Sequence, residues 1–198
     1  MIIETAHLVL RPITRDDAAA LVDLDSDPAV MRYVSGGRPT PRTMIEDWVI
    51  PRAIAEMSTR RGVGMFAAMD RHRGGFLGWF SLRAPRHSSR AELELTYRLR
   101  REAWGYGLAT EGSRALVQVA FDRLATDRLF AGTMAVNAPS RRVMEKSGMR
   151  LAALHQADDT AIDGYERGEV EYEILRSQWE TADFPWARLA RAAAHLSA

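Results

Sequence analysis

Cysteine is absent from this 198-residue chain, which removes disulfides, thiolate metal ligands and cysteine nucleophiles together. Lysine is nearly absent as well. Lys146 is the only one, so arginine carries the positive charge, and with the abundance of alanine this points to a GC-rich coding sequence of bacterial type. No apolar run approaches the ~20 residues of a membrane span, and the opening residues, with Glu4 and His7 beside a short apolar stretch, lack the layout of a secretory leader. A soluble, cytoplasmic protein with no membrane partner is expected. His7, His72, His87, His155 and His195 include no pair at the i, i+4 spacing of a helical zinc site, so no metal is expected. An excess of one charge is also missing. The 27 basic residues face 26 acidic ones, and the chain as a whole lacks the positive field of a sequence-independent nucleic-acid binder. Only short arginine clusters such as Arg98, Arg100 and Arg101 argue for a nucleic-acid partner, and none is expected. Repeats, low-complexity tracts and linkers are lacking too. The length and a hydrophobic content of 46% suit one core, so residues 1–198 are read as one domain.

What is present alternates between two periods. Leu8 to Pro12 reads as a strand, and Thr14 with Asp17 has the spacing of a capping box ahead of a helix through Ala18, Leu21 and Val22. Asp27-Pro28 should divide that helix in two, and Pro51 should bend or divide the next one, which starts near Thr40-Pro41 and carries Met44, Ile45, Trp48 and Val49 on one face. Strands are expected at 65–69, 76–82 and 91–99, as antiparallel neighbours. Thr110 to Leu124 returns to the helical period, Leu129 to Val136 is a strand, and Pro139 to Ser147 is a short helix ended by Gly148 in a left-handed cap. Met149 to Leu154 and Val170 to Ile174 are strands. The second alternates apolar residues with Glu171 and Glu173, giving one buried and one wet face. A terminal helix is expected over 184–196.

The segment that carries chemistry is Trp104-Gly105-Tyr106-Gly107-Leu108-Ala109-Thr110-Glu111, between an expected strand and an expected helix. A tight loop feeding a helix N-terminus presents unpaired amides and the positive end of the helix dipole, which favour a phosphate. Two glycines alone fit an ordinary strand-to-helix turn equally well. Neither a nucleotide P-loop nor a dinucleotide fingerprint is present, since no Gly-Lys-Ser/Thr follows and position 110 is Thr.

Glu94-Leu95-Thr96-Tyr97-Arg98-Leu99 followed by that loop resembles the pyrophosphate motif of the GNAT superfamily of N-acetyltransferases, in the form found in the branch that acetylates ribosomal-protein N-termini. Leu8 to Pro12, Asp27 to Tyr33 and Asn137 to Met149 resemble further landmarks of that branch in the same order, so the resemblance covers about 5–176. It implies an α/β fold: a mixed, mostly antiparallel sheet of six or seven strands, splayed at the cofactor site, with helices on both faces. It implies acetyl-CoA as cosubstrate, a primary amine as acceptor and direct attack in a ternary complex, and it leaves a homodimer open.

The resemblance also implies roles. The backbone near Leu99 would pair with the pantetheine arm, and the amides of Trp104, Gly105, Tyr106, Gly107, Leu108, Ala109 and Thr110 would hold the pyrophosphate. Trp104 replaces the usual Gln or Arg, and by itself reads as a hydrophobic anchor of the loop. Asn137 would approach the thioester, although Asn before Ala-Pro-Ser is also a helix cap. Many relatives place a tyrosine seven residues after this Asn as the acid for the leaving thiolate. Met144 stands there instead, which leaves Ser140, otherwise a first-turn serine. Glu94 would accept the amine proton, with Glu92 on the same strand face, so that a simple solvated face remains open. An α-amine of a protein or peptide N-terminus, with a pKa of ~8, asks less of such a base than a lysine near ~10.4. A small-molecule amine, drawn by the acidity at Asp158-Asp159 and 166–173, is the alternative acceptor, and a catalytically silent CoA-binding module is the alternative of another class. The acceptor side would be built from the 31–38 loop, the Trp48 helix, the 85–90 loop and the 157–169 segment.

Overall fold

The computed structural model describes residues 1–59, 63–85, 91–156, 162–182 and 184–187. The chain starts as a hairpin of β1 (Ile3–Glu4) and β2 (Leu8–Pro12), in which Ile3 faces Leu10 and Glu4 faces Val9. A 3-10 turn at Arg15–Asp17 leads into α1 (Ala18–Ser26), and α2 (Pro28–Ser35) follows the Asp27-Pro28 break. Asp27 caps α2 by accepting the Ala29 amide at 2.8 Å, and Pro28 sits where the helix has no use for an amide donor. Next, α3 (Arg42–Met44) runs through a π-helical turn at Ile45–Val49 into α4 (Ile50–Thr59). Pro51 lacks the N–H that a regular helix would need, and the wider turn just before it absorbs the mismatch.

Strands β3 (Gly64–Asp70), β4 (Phe76–Arg83) and β5 (Glu92–Leu99) are antiparallel neighbours. From β5 the chain crosses through α5 (Leu108–Arg123) to β6 (Arg128–Met134), which therefore lies parallel to β5. The described chain continues with α6 (Ala138–Lys146), β7 (Arg150–His155), β8 (Glu169–Leu175) and α7 (Arg176–Thr181). Sheet order is β1-β2-β3-β4-β5-β6-β8-β7, antiparallel except at β5–β6. The fold is the mixed, mostly antiparallel α/β expected, but the sheet has eight strands among the described residues and not six or seven. The addition is β1, whose two residues are too few to show an alternation and are defined by pairing alone.

Two buried layers explain the helices on both faces. Along β3, Met65 and Ala67 pack with Leu21 of α1 and Ile50 and Ala53 of α4, while Phe66 and Ala68 pack with Leu116, Val117 and Ala120 of α5. On the α5 side, Val170, Tyr172 and Ile174 of β8 join the core, as the alternation with Glu171 and Glu173 requires. The short α7 was not expected from the sequence. Its Trp179 is buried, stacked between Phe121 and Phe184, and its indole N–H donates to Asp122 at 3.0 Å. Gly148, at a φ of +91°, ends α6 as expected, since the left-handed turn lets the Met149 amide return to the Met144 carbonyl at 3.0 Å. The terminal helix expected over 184–196 falls mostly outside the described residues, of which 185–187 are helical.

Candidate active site

Strands β5 and β6 pair at only one end. Their register runs from Glu92 with Arg128 to Glu94 with Phe130 and stops there, although β5 continues to Leu99 and β6 to Met134. The Arg100 amide bonds the Leu77 carbonyl at 2.8 Å, which fixes the ladder with β4: Glu94, Thr96 and Arg98 aim their main-chain groups at β4. Tyr97 and Leu99 therefore aim theirs at the opposite edge, where the gap has opened and no register partner exists. The Leu99 carbonyl is taken by the Trp104 indole N–H at 2.9 Å. Trp104 thus anchors its loop by a hydrogen bond, not by burial: its side chain is half exposed, and Tyr106 close by is more exposed still.

At the end of the gap the loop feeds α5. Gly107 is the N-cap with a φ of +80° and offers no side chain to the helix, so the amides of Leu108, Ala109 and Thr110 have neither an intrahelical partner nor a cap. Space above Gly105 and Gly107 is open, with no heavy atom within 4 Å of where a Cβ would stand. This is a fit for a phosphate group approaching the backbone. Glu111, an acid in the first turn that would oppose such a ligand, is held by His7, accepting its amide at 2.7 Å and facing Nδ1 at 2.8 Å.

Glu92 and Glu94 share one face of β5, as alternation requires, but their surroundings differ. Glu92 is paired with Arg128 at 3.1 Å, and Arg128 also reaches Glu173 at 2.6 Å and Glu171. Burial alone would lower the Arg128 pKa, yet the hydrogen bonds it donates to Glu173, Glu171 and Glu92 hold it above its ordinary value. Glu94 has no ion pair or hydrogen bond among the described residues, and its register partner Arg83 bonds Glu56 of α4 at 3.0 Å. Burial pushes the Glu94 carboxyl up from its ordinary range. Arg83 pulls it down, and the charges of Glu171 and Glu169 add to the rise.

Asn137 and Ser140 stand at the start of α6, on the α5 side of the sheet. Asn137 caps the helix by accepting the Ser140 amide at 3.3 Å and donates to Thr133 Oγ1 at 3.0 Å, which ties the cap to the open end of β6. Ser140 Oγ lies 2.9 Å from the Tyr97 hydroxyl, so a side chain of β5 spans to α6 beside the gap. Met144 is buried in the core and serves packing. Tyr97 received no role from the sequence. The available signal was a hydroxyl-bearing ring in the otherwise aliphatic row Leu93, Leu95, Leu99, since a buried tyrosine needs a partner for its O–H.

On the acceptor side, the segment 31–38, expected as a loop, is helical to Ser35 as the end of α2 and only then turns, and the π turn bears the exposed Trp48, whereas 86–90 and 157–161, including Asp158 and Asp159, lie outside the described residues. The arginine cluster is consumed locally: Arg98 pairs with Asp25, Arg100 with Asp23 at 2.6 Å and Arg101 with Asp27 at 3.5 Å. Among the described residues no group of His, Asp and Glu converges as metal ligands would, and no helix is long and apolar enough to cross a membrane.

The chain has relatives among known proteins. The chain matches the acetyltransferase (GNAT) domain family over residues 7–150. It is 32% identical over 187 residues to the FsC-acetyl coenzyme A-N(2)-transacetylase of Aspergillus fumigatus, covering 89% of this chain and 77% of that protein. Protein YkkB of Bacillus subtilis is 31% identical over 153 residues, 77% of this chain and 87% of its own. The fold of this chain is shared with a solved ribosomal L7/L12 alpha-N-protein acetyltransferase, RimL, in complex with coenzyme A, at a TM-score of 0.74 and 17% identity over 88% of this chain and 98% of that one. With more than half of the chain matched, this protein belongs to the GNAT family and is an acyltransferase that uses acetyl-CoA.

Proposed function

We propose that the chain acetylates the α-amine of a protein or peptide N-terminus, with Glu94 accepting the amine proton and Ser140 donating a hydrogen bond to the leaving thiolate. The observation that supports this best is the contrast on β5. Glu92 is committed to Arg128, whereas Glu94, two residues along the same face, keeps a carboxylate unpaired among the described residues, with a raised pKa, at the point where β5 and β6 part. A base whose pKa is moved toward the working pH takes a proton more effectively. Acetyl-CoA supplies the activated acetyl thioester. Amides of 105–110 would hold its pyrophosphate, the Trp104 amide expected with them being already bonded to the Arg101 carbonyl at 3.1 Å; the main-chain groups of Tyr97 and the Leu99 amide would align its arm, and Asn137 would fix the start of α6 beside the thioester. Glu94 and Ser140 belong to opposite faces of the sheet on either side of the gap, so proton removal and thiolate departure are separated by the strand itself.

A small-molecule amine is the second reading. It is favoured by the 32% identical relative, whose name describes an N(2)-transacetylase, and by the carboxylates Glu169, Glu171 and Glu173 on the face of Glu94. An acceptor screen decides between them: acetyl-CoA is offered with N-terminal peptides, ribosomal-protein N-termini, polyamines and amino-acid derivatives, and released CoA is read as free thiol. Turnover on peptides above that on every small amine supports the first reading. The reverse order replaces it with the second.

A further inference from the structure

Tyr97 and Ser140 form the one side-chain hydrogen bond between β5 and α6 among those of the described residues, and it lies where β5 has lost its strand partner. The ring is held from behind by Phe80, at 5.8 Å between centroids, and by the α5-side core. The hydroxyl also lies 3.4 Å from the Ser140 carbonyl, so its reach is set at two points. Ser140 itself is placed by its amide, which bonds the Asn137 side chain at 3.3 Å. The serine backbone and the phenol that faces its hydroxyl are therefore both held in place.

We propose that Tyr97 is the positioning residue that makes Ser140 a hydrogen-bond donor: the phenol donates to Ser140 Oγ, which leaves the serine hydrogen free to point into the gap at the departing sulfur. This rests on the reading of Ser140 given above. A serine hydroxyl without a donor behind it is as ready to accept a hydrogen bond as to give one. With a phenol donating to it, one lone pair is occupied, and the chain of two O–H groups polarises in one direction. Burial pushes the Tyr97 pKa up to about 12, with the Ser140 hydrogen bond acting against it, so the phenol keeps its proton throughout the working pH range. Full proton transfer through the pair is disfavoured, because a phenol at about 12 is some three powers of ten weaker as an acid than a thiol near ~8.5. The balance is accordingly simple. The C–N bond forms as the C–S bond breaks with its electron pair on sulfur, the amine proton leaves toward Glu94, and Ser140 and Tyr97 both keep their protons while solvent later protonates the sulfur. Met144, buried in the core, takes no part.

The test reads the thiol of bound CoA and needs no acceptor. Ultraviolet absorbance of the thiolate is titrated in complexes of CoA with the wild type, Tyr97→Phe, Ser140→Ala and the double variant, with melting temperature and CoA affinity measured in parallel. The wild-type complex should hold the thiol below its free value of ~8.5, and Tyr97→Phe should raise it by roughly half a unit to one unit, as one lost polarising hydrogen bond implies. Ser140→Ala should raise it further, and the double variant should match Ser140→Ala. A shift in Ser140→Ala with none in Tyr97→Phe overturns the role of Tyr97 and leaves Ser140 standing. Additive shifts also overturn it, because Tyr97 would then touch the sulfur on its own. An unmoved thiol in every variant removes the Ser140 reading and this one with it, and a change confined to melting temperature or CoA affinity makes the pair a structural tie.

Discussion

Arg83 and Glu94 face each other across the β4–β5 ladder, yet the arginine gives its Nε–H to Glu56 of α4 at 3.0 Å and makes no hydrogen bond to Glu94. Glu94 therefore feels a positive charge without being neutralised by it. A carboxylate in this position keeps its basicity.

Glu94→Gln keeps shape and polarity but cannot take a proton. Turnover should fall by roughly 100-fold at neutral pH, with acetyl-CoA affinity within about twofold of wild type. The deficit should shrink as pH rises past the acceptor's own pKa, near ~8 for an α-amine, because the amine then arrives neutral. A pH–rate profile of both proteins checks this, and a small, pH-independent loss would leave Glu94 only an orienting role.

The same substitution should stabilise the fold. A carboxyl whose pKa is raised in the folded state binds its proton more tightly there, so its ionisation costs stability that is absent at low pH and appears as pH rises through the ordinary carboxylate range. Removing the charge should gain a few tenths to about 1 kcal/mol near neutrality, reduced by the solvent that Glu94 still sees, and nothing below about pH 4. Urea unfolding at the two pH values measures it.

Gly107→Val should abolish most acetyl-CoA binding, by at least ~10-fold, since a branched residue at a φ of +80° is strained by about 1–3 kcal/mol and its side chain would fill the space above the α5 amides. Calorimetric titration gives the answer. Equal affinity would place the pyrophosphate elsewhere.

Trp104→Phe retains an aromatic ring and deletes the donor to the Leu99 carbonyl. Loop and strand should separate, with acetyl-CoA affinity down by about fivefold, the worth of one hydrogen bond of ~1 kcal/mol. If affinity is unchanged, the indole bond has no part in shaping the loop.

Arg11 grips Asp17 through both nitrogens, at 2.8 and 2.6 Å, and the Thr14 amide adds a bond of 2.8 Å. Burial would raise the Asp17 pKa, but Arg11 and Thr14 hold it below the ordinary range. Its contribution is therefore present above the ordinary carboxylate pKa of ~3.9 and is lost as pH falls through the lower, folded value. Asp17→Asn should cost about 1–3 kcal/mol at neutral pH and flatten the acid limb of a stability–pH curve.

Much of this was legible in the sequence because it rests on period and punctuation. Seven strands follow from alternation or apolar runs, Asp27-Pro28 and Pro51 divide helices where backbone donors are lost, and Gly148 ends one where the chain must turn left-handed. The loop at 104–111 was placed by its position between a strand and a helix. What escaped depends on distant pairs. β1 exists only through its ladder, α7 only through the pocket between Phe121 and Phe184 that Trp179 fills, and the division of labour between Glu92 and Glu94 only through Arg128, which lies 36 residues beyond Glu92. No local pattern marks which of two glutamates an arginine from another strand will claim. Tyr97 was in plain view, but its partner belongs to a different element.

Arg128 joins carboxylates from β5 and β8 at the closed end of the β5–β6 pair, while the other end stands apart. The two strands are thus like the arms of tongs riveted at one tip. Any widening must occur as rotation about that rivet, with displacement growing along the arms toward Leu99 and Met134. A guest that enters from the open side is gripped more tightly the deeper it goes, and its depth is limited by the last ladder rung at Glu94 and Phe130, beside the residue that awaits the amine.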